Sequence, residues 1–262
     1  MMKRRQFIKS TLAAGVLAPA LGFKPSNTQK SHLITFSFDD GFRKSFIKLA
    51  EIHEDFKLQA CLNVIASGHM PDFKQVDDWI LPELMGDFDL WNDLSKKGHE
   101  IMPHSWKHSN LAKLDPYEAK KLIAKCISYF NENLTGFDPE RSVFNFPFNS
   151  SNDDLDQFTL SLVRAVRTRG DGGINPLPSK NTRYIIGCTS NGPENNDAWV
   201  DQKVDEFLAM DGGWLVFNLH GLDNEGWGPV SEPYFIELLE RLVSIKNLEI
   251  IPTGMALDKY AV

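Results

Sequence analysis

From His32 onward, short apolar runs alternate with segments whose apolar residues recur at helical spacing. Such alternation is the mark of parallel strands joined by helical crossovers, and it restricts the chain to an α/β fold. The first run, His32-Leu33-Ile34-Thr35-Phe36-Ser37-Phe38, is crowded with β-branched and aromatic residues, as in a buried strand, and Gly41 stops it. Further strands are predicted over residues 58–66, 99–102, 141–146, 163–167, 184–189, 214–219 and 248–251. Helices are predicted over 42–55, 88–97, 115–134, 155–160, 199–210 and 232–245. The third of these has a strong start: Asp115 as N-cap, Pro116 at the first position and Glu118 three residues after the cap. About eight strands and a similar number of helices fit a (β/α) barrel. A chain of 262 residues with 42% apolar content can bury one large core, so a single catalytic domain is expected over residues 21–262.

Residues 1–20 are set apart as an export signal. Lys3-Arg4-Arg5-Gln6-Phe7-Ile8-Lys9 is a basic head with paired arginines, Thr11 to Leu17 is a short apolar core, and Ala18-Pro19-Ala20 offers small residues for cleavage. The segment resembles a twin-arginine signal, which implies an exported, periplasmic or extracellular protein. Its apolar run is too short for a comfortable membrane span, and no cysteine follows it to carry lipid, so no membrane anchor is expected. Removing it takes the formal charge from −7 to −11, which argues against nucleic acid as a partner. Cys61, Cys126 and Cys188 lack CxxC spacing and are too few for a disulfide framework. Cys61 and Cys188, in strand-like runs, read as small buried hydrophobes.

The chemistry gathers at strand ends. Asp39 and Asp40 close the first strand, at the end where α/β proteins place their functional groups. His104 and His108 follow the third strand and would share a face if that segment were a helical turn, so both imidazoles would reach one metal ion. His220 follows the apolar strand 214–219 and precedes a loop rich in glycine and tryptophan. Asp39 beside a ligand is suited to general base work, and a histidine from another strand end to general acid work. Trp106 and Trp227 are candidates to stack on a bound ring, with packing as the alternative for each. Residues 67–87 make a long connection, read as a substrate-side loop with a structural excursion as the alternative.

Thr35-Phe36-Ser37-Phe38-Asp39-Asp40-Gly41, His104-Ser105-Trp106-Lys107-His108, Phe146-Pro147-Phe148 and Leu219-His220 resemble, in this order, the motifs of the polysaccharide deacetylases, also called carbohydrate esterase family four. The resemblance implies a distorted (β/α) barrel of about seven to eight mostly parallel strands. It further implies a divalent metal, usually zinc, and hydrolysis of N- or O-acetyl groups on a carbohydrate. It assigns Asp40, His104 and His108 to the metal, Asp39 to the general base, His220 to the general acid, and Pro147 and Phe148 to the substrate side. Two positions depart from the pattern. Asn145 stands where the family has an arginine that orients the catalytic aspartate, so Asp39 is expected to be less restrained and more basic. The fourth motif is only loosely matched by residues 167–172, where Arg167 or Arg169 would either replace the missing charge or bind an acidic sugar.

Three activities are therefore compared. The first is a secreted, metal-dependent carbohydrate deacetylase. The second uses the same site for elimination from a uronate-containing oligosaccharide, as a dehydratase or lyase. The third is a noncatalytic carbohydrate-binding protein with a structural metal.

Overall fold

A computed structural model describes residues 30–74, 80–170, 172–180 and 184–261. The export signal expected over residues 1–20 lies outside these. In chain order the elements are β1 (His32–Phe38), α1 (Arg43–Asp55), β2 (Cys61–Val64), α2 (Phe88–Lys96), β3 (Glu100–Pro103), α3 (Pro116–Asn133), β4 (Val143–Asn145), α4 (Asp153–Leu160), β5 (Ala165–Thr168), β6 (Ile174–Asn175), β7 (Ile185–Gly187), α5 (Asp197–Leu208), β8 (Gly213–Leu219), α6 (Glu232–Val243), β9 (Leu248–Ile250) and α7 (Thr253–Tyr260).

β1 is the axis of the fold. It pairs in parallel with β8 along its whole length, from His32↔Gly213 to Phe38↔Leu219, with β2 at its end and with β9 at its start. Every residue of it is buried. A strand enclosed this way has no solvent face, so its polar residues His32, Thr35 and Ser37 are buried along with the apolar ones. On its outer side Phe235 of α6 meets Phe36 and Phe38 edge-on, with ring centroids 5.3 and 5.5 Å apart. The antiparallel two-residue β6 and the C-terminal α7 are additions that periodicity did not reveal, being too short for it.

The strands form two arcs, β3-β2-β1-β8-β6 and β4-β5-β7. Thr189, just past β7, closes one junction by a parallel bridge to Phe217, its N–H donating to Val216 O at 3.0 Å and its carbonyl accepting from Asn218 N–H at 2.8 Å. The junction between β3 and β4 has no ladder among the described residues. Side chains span it instead: Asn145 Nδ2 donates to Pro103 O at 3.3 Å, and Val143 N–H points at Met102 Sδ at 3.4 Å. The result is the expected distorted barrel, left open along one seam. Because β1, β2, β3, β4, β5, β7 and β8 are parallel, their carboxyl ends all open at one mouth.

Helix α3 starts as the sequence reading requires, with Asp115 accepting from the N–H groups of Tyr117 and Glu118. The described part of the 67–87 connection, however, packs inward. Phe73, Ile80 and Met85 form a small core with Phe42 and Ile65, and Trp79 lies outside the described residues. The three cysteines are buried and unbridged.

His53, in α1, is 1% exposed and donates through Nδ1 to Leu49 O at 2.7 Å. Burial lowers its pKa from 6.5 to about 4. The unfolded chain takes up this proton first as the pH falls, so stability present above about pH 6.5 is lost towards pH 4. Urea unfolding of the metal-loaded protein at pH 7 and pH 5 tests this, and His53→Gln is expected to lose about 2 kcal/mol less than wild type between them.

Candidate metal centre and catalytic site

Asp40 ends β1 in a backbone that few residues adopt. Its φ is 79° and that of Gly41 is 102°, so the chain turns sharply and aims the Asp40 carboxylate into the mouth of the barrel. A side chain at Gly41 would add strain and press on the Trp91 ring, 3.3 Å from an ideal Cβ. Left-handed backbone also occurs at Ser105 (65°), His108 (52°), Phe148 (57°) and Asn149 (49°). Strained non-glycine residues each cost on the order of 1–3 kcal/mol, and here they gather around one cluster of side chains.

His104 and His108 face the same point, but no helical turn brings them there. Residues 104–108 form a bend. Left-handed conformations at Ser105 and His108 reverse the chain, and Ser105 Oγ accepts from His108 N–H at 3.0 Å to hold it. His104 Nδ1 donates to Asn145 O at 2.9 Å, which turns Nε2 toward Asp40 Oδ1, 3.5 Å away. His108 Nε2 lies 3.3 Å from the same oxygen.

The ligand atoms of Asp40, His104 and His108 lie within 4.8 Å of one another, and all three residues are buried. Neither carboxylate oxygen of Asp40 accepts a hydrogen bond, although the residue is 0% exposed. A buried carboxylate without donors, facing two imidazoles, fits a divalent cation and is costly without one. Burial lowers the His108 pKa to about 4, so the imidazole is neutral, as a metal ligand must be.

Asp39 is bound quite differently from Asp40. Arg167 Nη2 reaches its Oδ2 at 2.5 Å, Asn218 Nδ2 donates to the same oxygen, and Asn63 Nδ2 donates to Oδ1 at 2.7 Å. Arg167 is fully buried, with Nη1 also donating to Ser37 Oγ at 3.2 Å. Burial by itself would raise the Asp39 pKa, but the Arg167 charge, followed by that of His104, outweighs it and holds the carboxyl below its ordinary value. The expectation of a less restrained, more basic Asp39 is thus overturned. The reason is visible in the register. Asn145 of β4 pairs with Arg167 of β5, so the cation has moved one strand along the barrel wall and still reaches the carboxylate. Asn145 supports it indirectly, donating to Asn63 Oδ1 at 2.9 Å.

A cavity of about 350 Å³ opens above these groups, lined by Asp39, His104, His108, Phe148, Asn149, Ser190, Asn218, His220 and Trp227. Phe148, half exposed, leans on His108 with centroids 4.9 Å apart, and Trp227 meets His220 edge-on at 5.6 Å. Burial lowers the His220 pKa against the pull of Asp40 and Asp39. Not every candidate reaches the cavity. Trp106 packs on Tyr129 with Lys125 Nζ 3.8 Å above its ring, Pro147 is buried beneath, and Arg169 is exposed and does not line the cavity. With Arg167 committed to Asp39, neither arginine serves a sugar carboxylate there. Asn63, Asn149, Ser190 and Asn218 were missed, since single amides and hydroxyls in strands and loops carry no spacing signal.

The family model for polysaccharide deacetylases matches residues 26–163, which is 138 of the 262 residues. The chain belongs to the polysaccharide deacetylase family. No curated protein matches it. Among solved structures, a protein of Mycobacterium smegmatis assigned as a polysaccharide deacetylase has TM-score 0.66 and 12% identity, covering 96% of this chain and 94% of that one. A family 4 acetyl xylan esterase from Clostridium thermocellum, in complex with a cobalt ion, has TM-score 0.56 and 17% identity, covering 87% and 91%. A CE4 family pseudoenzyme from Bacillus anthracis has TM-score 0.54 and 12% identity, covering 89% and 67%. At such identities these neighbours speak for the fold alone. The family match ends before Arg167 and His220, so four of the nine residues lining the cavity of this deacetylase-family chain, Ser190, Asn218, His220 and Trp227, lie outside the matched segment.

Arg167→Ala would leave a buried carboxylate uncompensated and is expected to cost about 3–5 kcal/mol in urea unfolding. The exchange Asn145→Arg with Arg167→Asn returns the guanidinium to the register partner and is expected to recover most of that loss. No recovery would mean that Asp39 depends on the position of the cation and not on its charge.

Proposed function

We propose that this protein is an exported, zinc-dependent hydrolase that removes acetyl groups from a poly- or oligosaccharide. One observation carries the reading: the orphaned Asp40 carboxylate converges with His104 and His108 beside a cavity that also receives Asp39 and His220. Family membership alone does not decide turnover, because the fold also occurs in a pseudoenzyme. Retention of both Asp39 and His220 favours catalysis over simple binding, which needs neither.

Asp40, His104 and His108 would hold the divalent ion, which when bound supplies Lewis acidity toward water, an acyl oxygen or a sugar carboxylate. Asp39, kept ionised by Arg167, takes a proton as the oxygen of water attacks the acyl carbon. His220 delivers a proton to the departing sugar oxygen or nitrogen as its bond to the acyl carbon breaks. Phe148 and Trp227 provide apolar surface for the sugar ring at the cavity rim.

A second reading is favoured by the way Asp39 is bound. Both of its oxygens already accept hydrogen bonds and its charge is paired, which makes it a weak base, whereas burial lowers the His220 pKa and so favours the imidazole form that can accept a proton. In elimination from a uronate, His220 takes the C5 proton, the C5–H electron pair forms the C4=C5 double bond, and the C4–O bond breaks. The departing oxygen leaves with that proton.

Purified metal-loaded protein incubated with acetylated and with uronate-containing oligosaccharides separates these readings by product mass. Loss of acetyl supports hydrolysis, loss of water or of an alcohol with a new conjugated absorbance supports elimination, and binding without turnover supports neither. His104→Ala and His108→Ala are each expected to abolish metal retention. Asp39→Asn is expected to keep metal while kcat for hydrolysis falls on the order of a hundredfold or more; undiminished hydrolysis by this variant would overturn the role of Asp39.

A further inference from the structure

Residues 221–230, which follow His220 and carry Trp227, contain no helix and no strand. They form a loop closed at its neck, where Leu222 bridges Val230 and Val230 N–H donates to Gly221 O at 3.2 Å. The loop backs directly onto His220. Gly226, with φ 82°, lies so close that an added Cβ would sit 2.7 Å from His220 Cβ. The positions of His220 and Trp227 in the cavity therefore depend on what holds this loop.

Helix α1, which leaves the Asp40-Gly41 turn, has an N-terminus that its own sequence does not satisfy. Phe42 at its N-cap offers no side-chain hydrogen bond, its first turn holds no acidic residue, and it begins with Arg43 and Lys44. A helix N-terminus wants an acceptor and favours negative charge. Both come from the distant loop. Glu225 Oε2 accepts from Ser45 N–H at 2.9 Å and from Ser45 Oγ–H at 2.6 Å, and Leu222 N–H donates back to Ser45 Oγ at 3.0 Å. Ser45 is 2% exposed, and Glu225 does not line the cavity above the metal ligands.

We propose that Glu225 is a positioning residue. By docking on Ser45 it ties the loop bearing Trp227 and backing His220 to the segment bearing Asp39 and Asp40, and so sets the distance across the cavity. Its effect on turnover rests on the reading that Asp39 and His220 act on one substrate. The latch itself does not.

The test uses the metal-loaded full chain with Glu225→Ala and Glu225→Gln. Amide hydrogen exchange over residues 221–230, and at Ser45, whose N–H loses its acceptor, is expected to quicken about tenfold or more in the alanine variant, with the remaining amides unchanged. Metal content is expected to stay at the wild-type level, because no ligand is altered, while kcat on the active substrate class falls about tenfold with a smaller change in KM. Glutamine keeps an acceptor oxygen for Ser45 and is expected to restore most of both. If the alanine variant fails to fold, Ser45→Ala, which removes only the hydroxyl part of the latch, should show the same changes at reduced size. Unchanged exchange in the loop, or a glutamine variant no better than alanine, overturns the proposal. If wild type turns over neither substrate class, the functional reading fails while the exchange result still decides the latch.

Discussion

Two carboxylates stand side by side at the end of the central strand, both out of contact with solvent, and the barrel mouth is organised around making that tolerable. Ionised groups moved out of water must be paired or must coordinate a cation. The two neighbours receive opposite solutions. Asp39 is enclosed by a buried guanidinium and two amides, Asn63 and Asn218, brought from three other strands. Asp40 faces the imidazoles of His104 and His108 and has no hydrogen-bond donor on either oxygen, an arrangement that fits a divalent cation. The adjacent residues thus differ in role because their surroundings differ, and a single turn with φ 79° and 102° at Asp40 and Gly41 separates the two environments.

How far this was legible in the sequence depended on the range of each interaction. Strand β1 could be read because its burial on both faces is written into seven consecutive residues, and α3 because its cap, proline and acidic third residue are adjacent. The pair His104 and His108 was singled out by spacing as candidate ligands, yet the geometry that joins them is a bend fixed by Ser105 and not a turn of helix, since spacing cannot report φ. Arg167 was visible as a candidate, but its partner was not. That an arginine on β5 stands beside Asn145 and reaches Asp39 is a fact of strand register, which emerges only when β4 and β5 pair. Asn63 and Asn218 carried no signal because their function lies wholly in the partner they meet.

The family gives this chain its scaffold, while the chain itself modifies the wall. A cation on β5 preserves the charge on Asp39 and shares it with the amides of Asn63 and Asn218. The cavity above has aromatic side chains at Phe148 and Trp227 and amides at Asn149 and Asn218. This combination suits a ring with both apolar faces and hydroxyl groups.

The two solutions also differ in when they become available to a chain made from its amino terminus. Asp40, His104 and His108 lie on β1 and the end of β3, within the first contiguous arc, with β2 between them. The guanidinium that neutralises Asp39 belongs to the second arc, joined to the first through the Thr189 bridge, the Asn175–Gly187 hydrogen bonds and a seam of side chains. During synthesis Asp39, Asp40 and the two histidines are all made while the second arc is still missing, so the Asp39 carboxylate gains its buried counterion only when β5 is added.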